Sequence, residues 1–273
     1  MSKAIVFDLD ETLRSLDNFM NYNKTSVMLR PGLKELLSKL ANVNKKGVDS
    51  IIFTSASIEN VKKYFINELS PKYRNVFTKI ITRENYLKPE ADTRENYLYR
   101  LGANKIVTAL DYDEILFFDA NMSEYQFLSE LYDKKLDCEY PEPDKSVTLV
   151  RLPFKPKKQS ELYALKETAK NLEDKGKKDF SEKVKKYFEM LTKEPGCKIM
   201  INIIDDFVIN GNKKKFDYIA GTEEFEEYNK KLNKCNENIE NMLYDNTNIS
   251  DIYMNYEDTY YENTESKDLN ELY

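Results

Sequence analysis

Ala4-Ile5-Val6-Phe7-Asp8-Leu9-Asp10-Glu11-Thr12-Leu13 is the stretch from which the rest of the chain can be read. Its four leading apolar residues form a short run of the kind that makes a strand buried on both faces. Two carboxylates, two residues apart, follow directly. Residues just past the carboxyl end of a parallel strand sit at the mouth of an α/β sheet, where ligands bind. There, one carboxylate can attack phosphorus, and the other can protonate the leaving oxygen and then activate water. Two acids so close repel each other, which calls for a divalent cation. With oxygen ligands and no histidine anywhere in the chain, Mg²⁺ is the natural choice.

Outward from this stretch, apolar runs alternate with helical patterns. Ser50 to Thr54, Phe77 to Thr82, Glu114 to Phe118 and Val147 to Leu152 read as further strands. Pro31 to Leu40 reads as a helix, with Leu33, Leu36, Leu37 and Leu40 on one face. Val61, Tyr64, Phe65 and Leu69 mark another, and Ser123 with Gln126 suggests a capping box that opens a third. Strands alternating with helices imply a parallel sheet covered on both faces.

From Ser160 the pattern changes. Leu162, Leu165, Ala169 and Leu172 predict one helix, and Val184, Tyr187, Phe188 and Leu191 a second. Lys198 to Asn210 reads as a hairpin or strand pair before a turn at Asn210-Gly211-Asn212. Phe225, Tyr228, Leu232 and Ile239 suggest a final helix. Residues 245–273 hold eight acidic residues and one lysine, and read as a loosely attached tail. The expected organisation is a catalytic domain over 1–175, a mostly helical extension over 176–244, and the acidic tail. Thr-Arg-Glu-Asn-Tyr-Leu occurs at both 82–87 and 93–98, a duplication without a physical account.

Composition removes several functions. A chain without histidine has no Ser-His-Asp or Cys-His hydrolase machinery, no phosphohistidine chemistry and few transition-metal sites. Net charge is −6, which argues against general nucleic-acid binding. Three widely spaced cysteines without a CxxC pair argue against zinc and for a reducing, cytoplasmic setting, with the nucleus left open. No apolar run suits a membrane span or a signal peptide.

The Asp8-Leu9-Asp10-Glu11-Thr12 stretch resembles the DxDx[TV] motif of the haloacid-dehalogenase superfamily. Its fuller form, DLDETL, is similar to the NLI-interacting-factor-like phosphatases, which act on the RNA polymerase C-terminal domain and related phosphoproteins. Leu29 to Leu37 resembles that branch's RPGLxEFL helix start, and Ile52 to Ser57 its VFTAS segment. The resemblance spans residues 3–172. It implies a Rossmann-like fold without a large cap domain, Mg²⁺ as cofactor, Asp8 as nucleophile and Asp10 as acid/base, with the Asp10 carbonyl helping to hold the metal.

Thr54 then corresponds to the second motif, where a strand-end hydroxyl binds a phosphoryl oxygen, aided by amides of the following helix. The third motif needs a lysine: Lys105, in a segment resembling KDLSxLG, with Lys88 as its rival. The fourth is a strand ending in Asp119. The family places two polar ligands in succession there, whereas this chain has Ala120, so Asn121 is expected to assist Asp119 with the metal.

Three functions follow from these residues. The first is a phosphatase acting on phosphoserine or phosphothreonine in a macromolecule. The second is a phosphatase for nucleotides, polynucleotide ends or another small phosphate ester; Arg151 to Lys178, with nine Lys/Arg against four Asp/Glu, could contact phosphates. The third is a catalytically weak binding module, for which Ala120 speaks.

Overall fold

A computed structural model describes residues 1–19, 24–86, 107–133, 144–157 and 159–245. They cluster into two compact units, each assembled from three stretches of chain. The first comprises Met1–Ser15, Leu33–Phe154 and Gly196–Thr222; the second comprises Leu16–Gly32, Lys155–Pro195 and the chain from Glu223 onward.

The first unit is built on a six-stranded, all-parallel sheet. Its strands are β1 (Lys3–Phe7), β4 (Val48–Phe53), β5 (Lys79–Ile81), β6 (Glu114–Phe118), β7 (Ser146–Val150) and β8 (Phe216–Ile219). They lie in the order β5-β4-β1-β6-β7-β8. Every residue of β1 from Ala4 to Phe7 is fully buried, as a central strand covered on both faces requires.

Alternation sends Ala4 and Val6 into a cluster with Ile51, Phe53, Ile115, Phe117, Val147 and Leu149. Phe127, Leu128 and Leu131 of α4 (Met122–Tyr132) cover that face. Phe7, of opposite parity, stacks on Phe118 with ring centroids 5.1 Å apart and meets Phe77 edge-on at 6.2 Å.

Helix α1 (Leu33–Asn44) starts two residues later than its pattern suggests, because Gly32 takes a left-handed φ of +77° and turns the chain first. Helix α2 (Ile58–Tyr64) and a single turn, α3 (Arg83–Tyr86), flank β5.

One expected element is of the wrong type. Lys198 to Asn210 is not a hairpin but lies within a helix, α7 (Gly196–Asn210). Its run of β-branched Ile suggests strand. The buried positions Cys197, Met200, Ile204 and Phe207 nevertheless recur at helical spacing, and α7 packs on α1. The anticipated turn follows, with Gly211 at φ +68°, and then the unanticipated strand β8 pairs with β7. The linear partition at residue 175 therefore does not match the compact units: residues 196–222 complete the sheet.

The second unit holds β2 (Arg14–Phe19) and β3 (Lys24–Leu29), which form a two-stranded sheet from Leu16 onward within this unit. With them are α5 (Gln159–Asp174), α6 (Lys178–Thr192) and α8 (Glu223–Asp245). Met28, Leu162, Leu165, Ala169, Leu172, Val184, Tyr187 and Ile239 make its core. Burial pushes the Tyr187 hydroxyl up to about 12, so it stays a donor, here to Asn236 Oδ1. Arg30 is fully buried and holds Glu194 with two hydrogen bonds, Nε to Oε2 at 3.0 Å and Nη2 to Oε1 at 2.6 Å. The acidic stretch after Asp245 lies outside the described residues.

Gly211 ties α7 to the sheet. A Cβ there would lie 2.5 Å from Glu114 Oε1, and Glu114 is 3.1 Å from Lys3 Nζ, which also donates to the Phe207 carbonyl at 3.2 Å. Gly211→Ala combines left-handed strain with overpacking, so it should lower the unfolding free energy by about 1–3 kcal/mol. The urea midpoint measures this; an unchanged midpoint would mean that Glu114 yields freely.

Candidate active site

Strand register assembles the site. Phe7 of β1 pairs with Ile52 of β4 on one side and with Phe118 of β6 on the other. Asp8 and Asp119 are thus the first residues beyond paired positions on adjacent strands, about 5 Å apart along the backbone by ordinary strand spacing. The Asp8 amide donates to the Phe118 carbonyl at 2.8 Å, the Asp119 amide to Val150 at 3.1 Å and the Thr54 amide to Ile81 at 3.0 Å. All three residues are buried, at 7% exposure for Asp8, 0% for Thr54 and 1% for Asp119. Asp8 occupies the middle, with Thr54 and Asp119 on the strands to either side.

Beyond Asp8 the chain makes a tight turn. The Leu9 carbonyl accepts from the amides of Thr12, Leu13 and Arg14 at 3.0–3.3 Å, and the Glu11 amide donates to the Arg14 carbonyl at 2.7 Å. Glu11 adopts φ +58°, a conformation that few side chains other than Gly and Asn take readily. Its carbonyl is fixed by the Phe154 amide at 2.6 Å. This turn brings Arg14 back onto Asp10: Arg14 Nε donates to Asp10 Oδ1 at 2.8 Å. The hydrogen bonds of the Asp10–Arg14 bridge run through the peptides on either side of Asp10, so the Asp10 carbonyl itself takes no part in it.

Two expectations meet other hydrogen bonds here. Asn121, a candidate metal ligand, accepts through its side-chain oxygen from the Ser123 amide at 3.0 Å as the N-cap of α4, and its amide donates to Asp119 Oδ1 at 2.7 Å. The cap is therefore Asn121 rather than Ser123, and Asn121 serves to hold Asp119 in place. The helix after Thr54 was expected to offer amides to phosphate. In α2 the Asn60 amide goes to the Ser57 hydroxyl and the Ile58 amide to the Glu84 carboxylate at 3.2 Å. Glu84 is held below the usual carboxylate range, chiefly by the Thr82 hydroxyl. Of the amides after Thr54, that of Ala56 donates to Thr54 Oγ1 at 3.2 Å.

Lys105 and Lys88 both lie outside the described residues. Arg14 is in contact with Asp10, and the i,i+4 spacing of opposite charges is the only signal of this in the sequence. Among the described residues no group of three or more His, Cys, Asp or Glu side chains gathers for a metal. The carboxylates of Asp8 and Asp119, on adjacent strand ends, and the Asp10 carbonyl are oxygen donors of the type that a hard cation takes. No helix among these residues is long and apolar enough to cross a membrane.

Asn121→Ala separates cap from ligand. Loss of the cap should lower stability by about 1 kcal/mol, read from the thermal midpoint, while the affinity for Mg²⁺ followed by calorimetry stays within about twofold. A large loss of metal affinity would restore Asn121 as a ligand.

Two comparisons bear on identity. No curated protein matches the chain. Residues 3–135, from the start of β1 to just past α4, match the family model described as NLI interacting factor-like phosphatase. That stretch carries Asp8, Thr54 and Asp119 at the strand ends described above, and Asp10 in the turn that follows β1. The chain therefore carries a domain of the NLI interacting factor-like phosphatase family, and is a phosphoric monoester hydrolase of the haloacid-dehalogenase type.

Proposed function

We propose that this domain is a Mg²⁺-dependent phosphatase that works through a phosphorylated Asp8 and acts on phosphoserine or phosphothreonine in a protein. The observation that carries the reading is the convergence of Asp8, Thr54 and Asp119 on three adjacent strand ends, with Asp10 two residues on.

In the first step the Asp8 carboxylate attacks phosphorus in line, the ester P–O bond breaks, and Asp10 gives its proton to the leaving oxygen. In the second, water attacks the acyl phosphate on Asp8, Asp10 takes the proton from that water, and phosphate leaves with Asp8 restored. The Thr54 hydroxyl steadies a phosphoryl oxygen. Lys105 is the proposed ammonium group that balances the transferring charge. Bound Mg²⁺, held by Asp8, Asp119 and the Asp10 carbonyl, would neutralise the negative charge shared by nucleophile and phosphoryl group.

A protein substrate is supported by the resemblance to DLDETL, RPGLxEFL and VFTAS. It is also supported by the first gap between motifs. Between Asp8 and Thr54 the described residues form β2, β3, α1 and β4, which leaves little length for a further lobe that would enclose a small molecule.

Asp8→Asn should bring phosphate release from an aryl phosphate to background, and chelation should do the same reversibly, with Mg²⁺ restoring the rate. A labelled substrate should leave a hydroxylamine-sensitive phosphate on wild type and none on Asp8→Asn; no trapped label on an active enzyme would sink the covalent route. A phosphoserine peptide, a 3′-phosphorylated oligonucleotide and a mononucleotide, compared with Mg²⁺ present, test the substrate, and the peptide should be the most efficient by kcat/KM.

Lys105→Ala should lower kcat/KM by about 10²–10³-fold, the scale of losing one charge-stabilising donor, with Lys88→Ala nearly silent. The reverse ranking would move the role to Lys88.

A further inference from the structure

We propose that Arg14 is a positioning residue for proton transfer at Asp10. Its guanidinium is fully buried, and it is fixed at two points. Nε donates to Asp10 Oδ1 at 2.8 Å, and Nη1 donates to the Asn60 carbonyl in α2 at 3.3 Å. Nη2 is also buried and has no hydrogen-bond partner among the described residues.

A buried guanidinium is costly, and exposed ion pairs stabilise folds little. The Asp10 side chain is 42% exposed while Arg14 is at 0%, so the pair places the desolvation penalty on one partner and leaves the other accessible. Leu9 and Leu13 beside it are fully buried; a residue needed only to close this turn would be apolar like them. The cost is instead placed against the carboxylate that the proposed reaction uses twice.

The geometry explains what this achieves. The contact is monodentate: Asp10 Oδ1 is held, and no described residue donates to Oδ2. A carboxylate fixed through one oxygen keeps the other for proton exchange with the leaving group or water, in one orientation rather than several. Arginine suits this task because its rigid planar fork holds its two anchors in one fixed geometry, whereas an ammonium group is a point charge on a flexible stem. The left-handed Glu11 and the three amides on the Leu9 carbonyl bring Arg14 to this place.

The inference rests on reading Asp10 as the proton donor, and the experiment separates the two. kcat/KM, which reports steps up to formation of the phosphorylated enzyme, is measured with Mg²⁺ across aryl phosphates of rising leaving-group pKa and ending in an alkyl phosphate. Good leaving groups need no proton and alkoxides do.

Asp10→Asn should lose far more on the alkyl ester than on dinitrophenyl phosphate. Arg14→Met should steepen the series in the same direction, by under about threefold at the activated end and about 30- to 100-fold at the alkyl end, within the usual contribution of proton transfer. Arg14→Gln, a neutral polar substitute, decides if the Met variant does not fold. In an Asp10→Asn background either Arg14 change should add no further steepening.

A uniform loss across the series from folded Arg14 variants, with Asp10→Asn steep, overturns the role of Arg14 alone and leaves it a structural residue. A uniform loss from Asp10→Asn itself overturns the reading of Asp10, and the proposal with it.

Discussion

Parallel pairing of β1 with β4 and β6 is the constraint on which the site depends. Because Phe7 is in register with both Ile52 and Phe118, the three strands end at one rim and their next residues meet there. A shift of one residue in β1 would turn Asp8 away and send its apolar neighbours to the wrong faces of the sheet. The ladder continues past the strand, as the Asp8 amide still bonds the Phe118 carbonyl. The candidate nucleophile is therefore positioned by main-chain hydrogen bonds before any side chain acts on it.

The sheet that enforces this register is not contained in the family-matched stretch. Residues 3–135 supply β1, β4, β5 and β6, yet β7 and β8 lie beyond them. β7 matters directly, since its Val150 carbonyl receives the Asp119 amide. β8 closes the row after α7 and the Gly211 turn return the chain to the first unit. Lys3 links the start of the sheet to this return, through Glu114 of β6 and the carbonyls at the end of α7. Stability of the C-terminal return and geometry of the N-terminal motif are thus parts of one packed body.

Most of the sheet was legible because buried parallel strands leave short, dense apolar runs: Ala4 to Phe7 and Ile115 to Phe118 permit little else. The positions of Asp8 and Asp119 were legible because each directly follows such a run, and both stand at strand ends. The site was not legible where local hydrogen bonding chose between neighbours. Asn121 and Ser123 are both good caps, and only the backbone path shows that Asn121 takes the role. α7 reads as strand in the sequence because its five isoleucines outweigh a helical period. Domain limits failed for another reason: a linear reading cannot see that residues 196–222 add a strand to a sheet begun at Lys3. Arg14 was missed because a charged residue after an acidic turn ordinarily belongs in water.

Asp8 and Asp10 are separated by one residue and by a change of environment. Asp8 continues a buried strand, and its peptide is locked in the ladder. Asp10 stands in a turn, with its side chain half in solvent and one oxygen held by Arg14. A nucleophile must face phosphorus from a fixed point, whereas a group that gives and then takes a proton must reach two different oxygens from nearly one position. In the proposed mechanism of a protein without histidine, both tasks fall to carboxylates of the same kind, and their surroundings would divide the roles. The tight turn at Leu9 to Arg14 supplies that difference in surroundings: it leaves the strand just past Asp8, and it returns a buried cation onto Asp10 Oδ1.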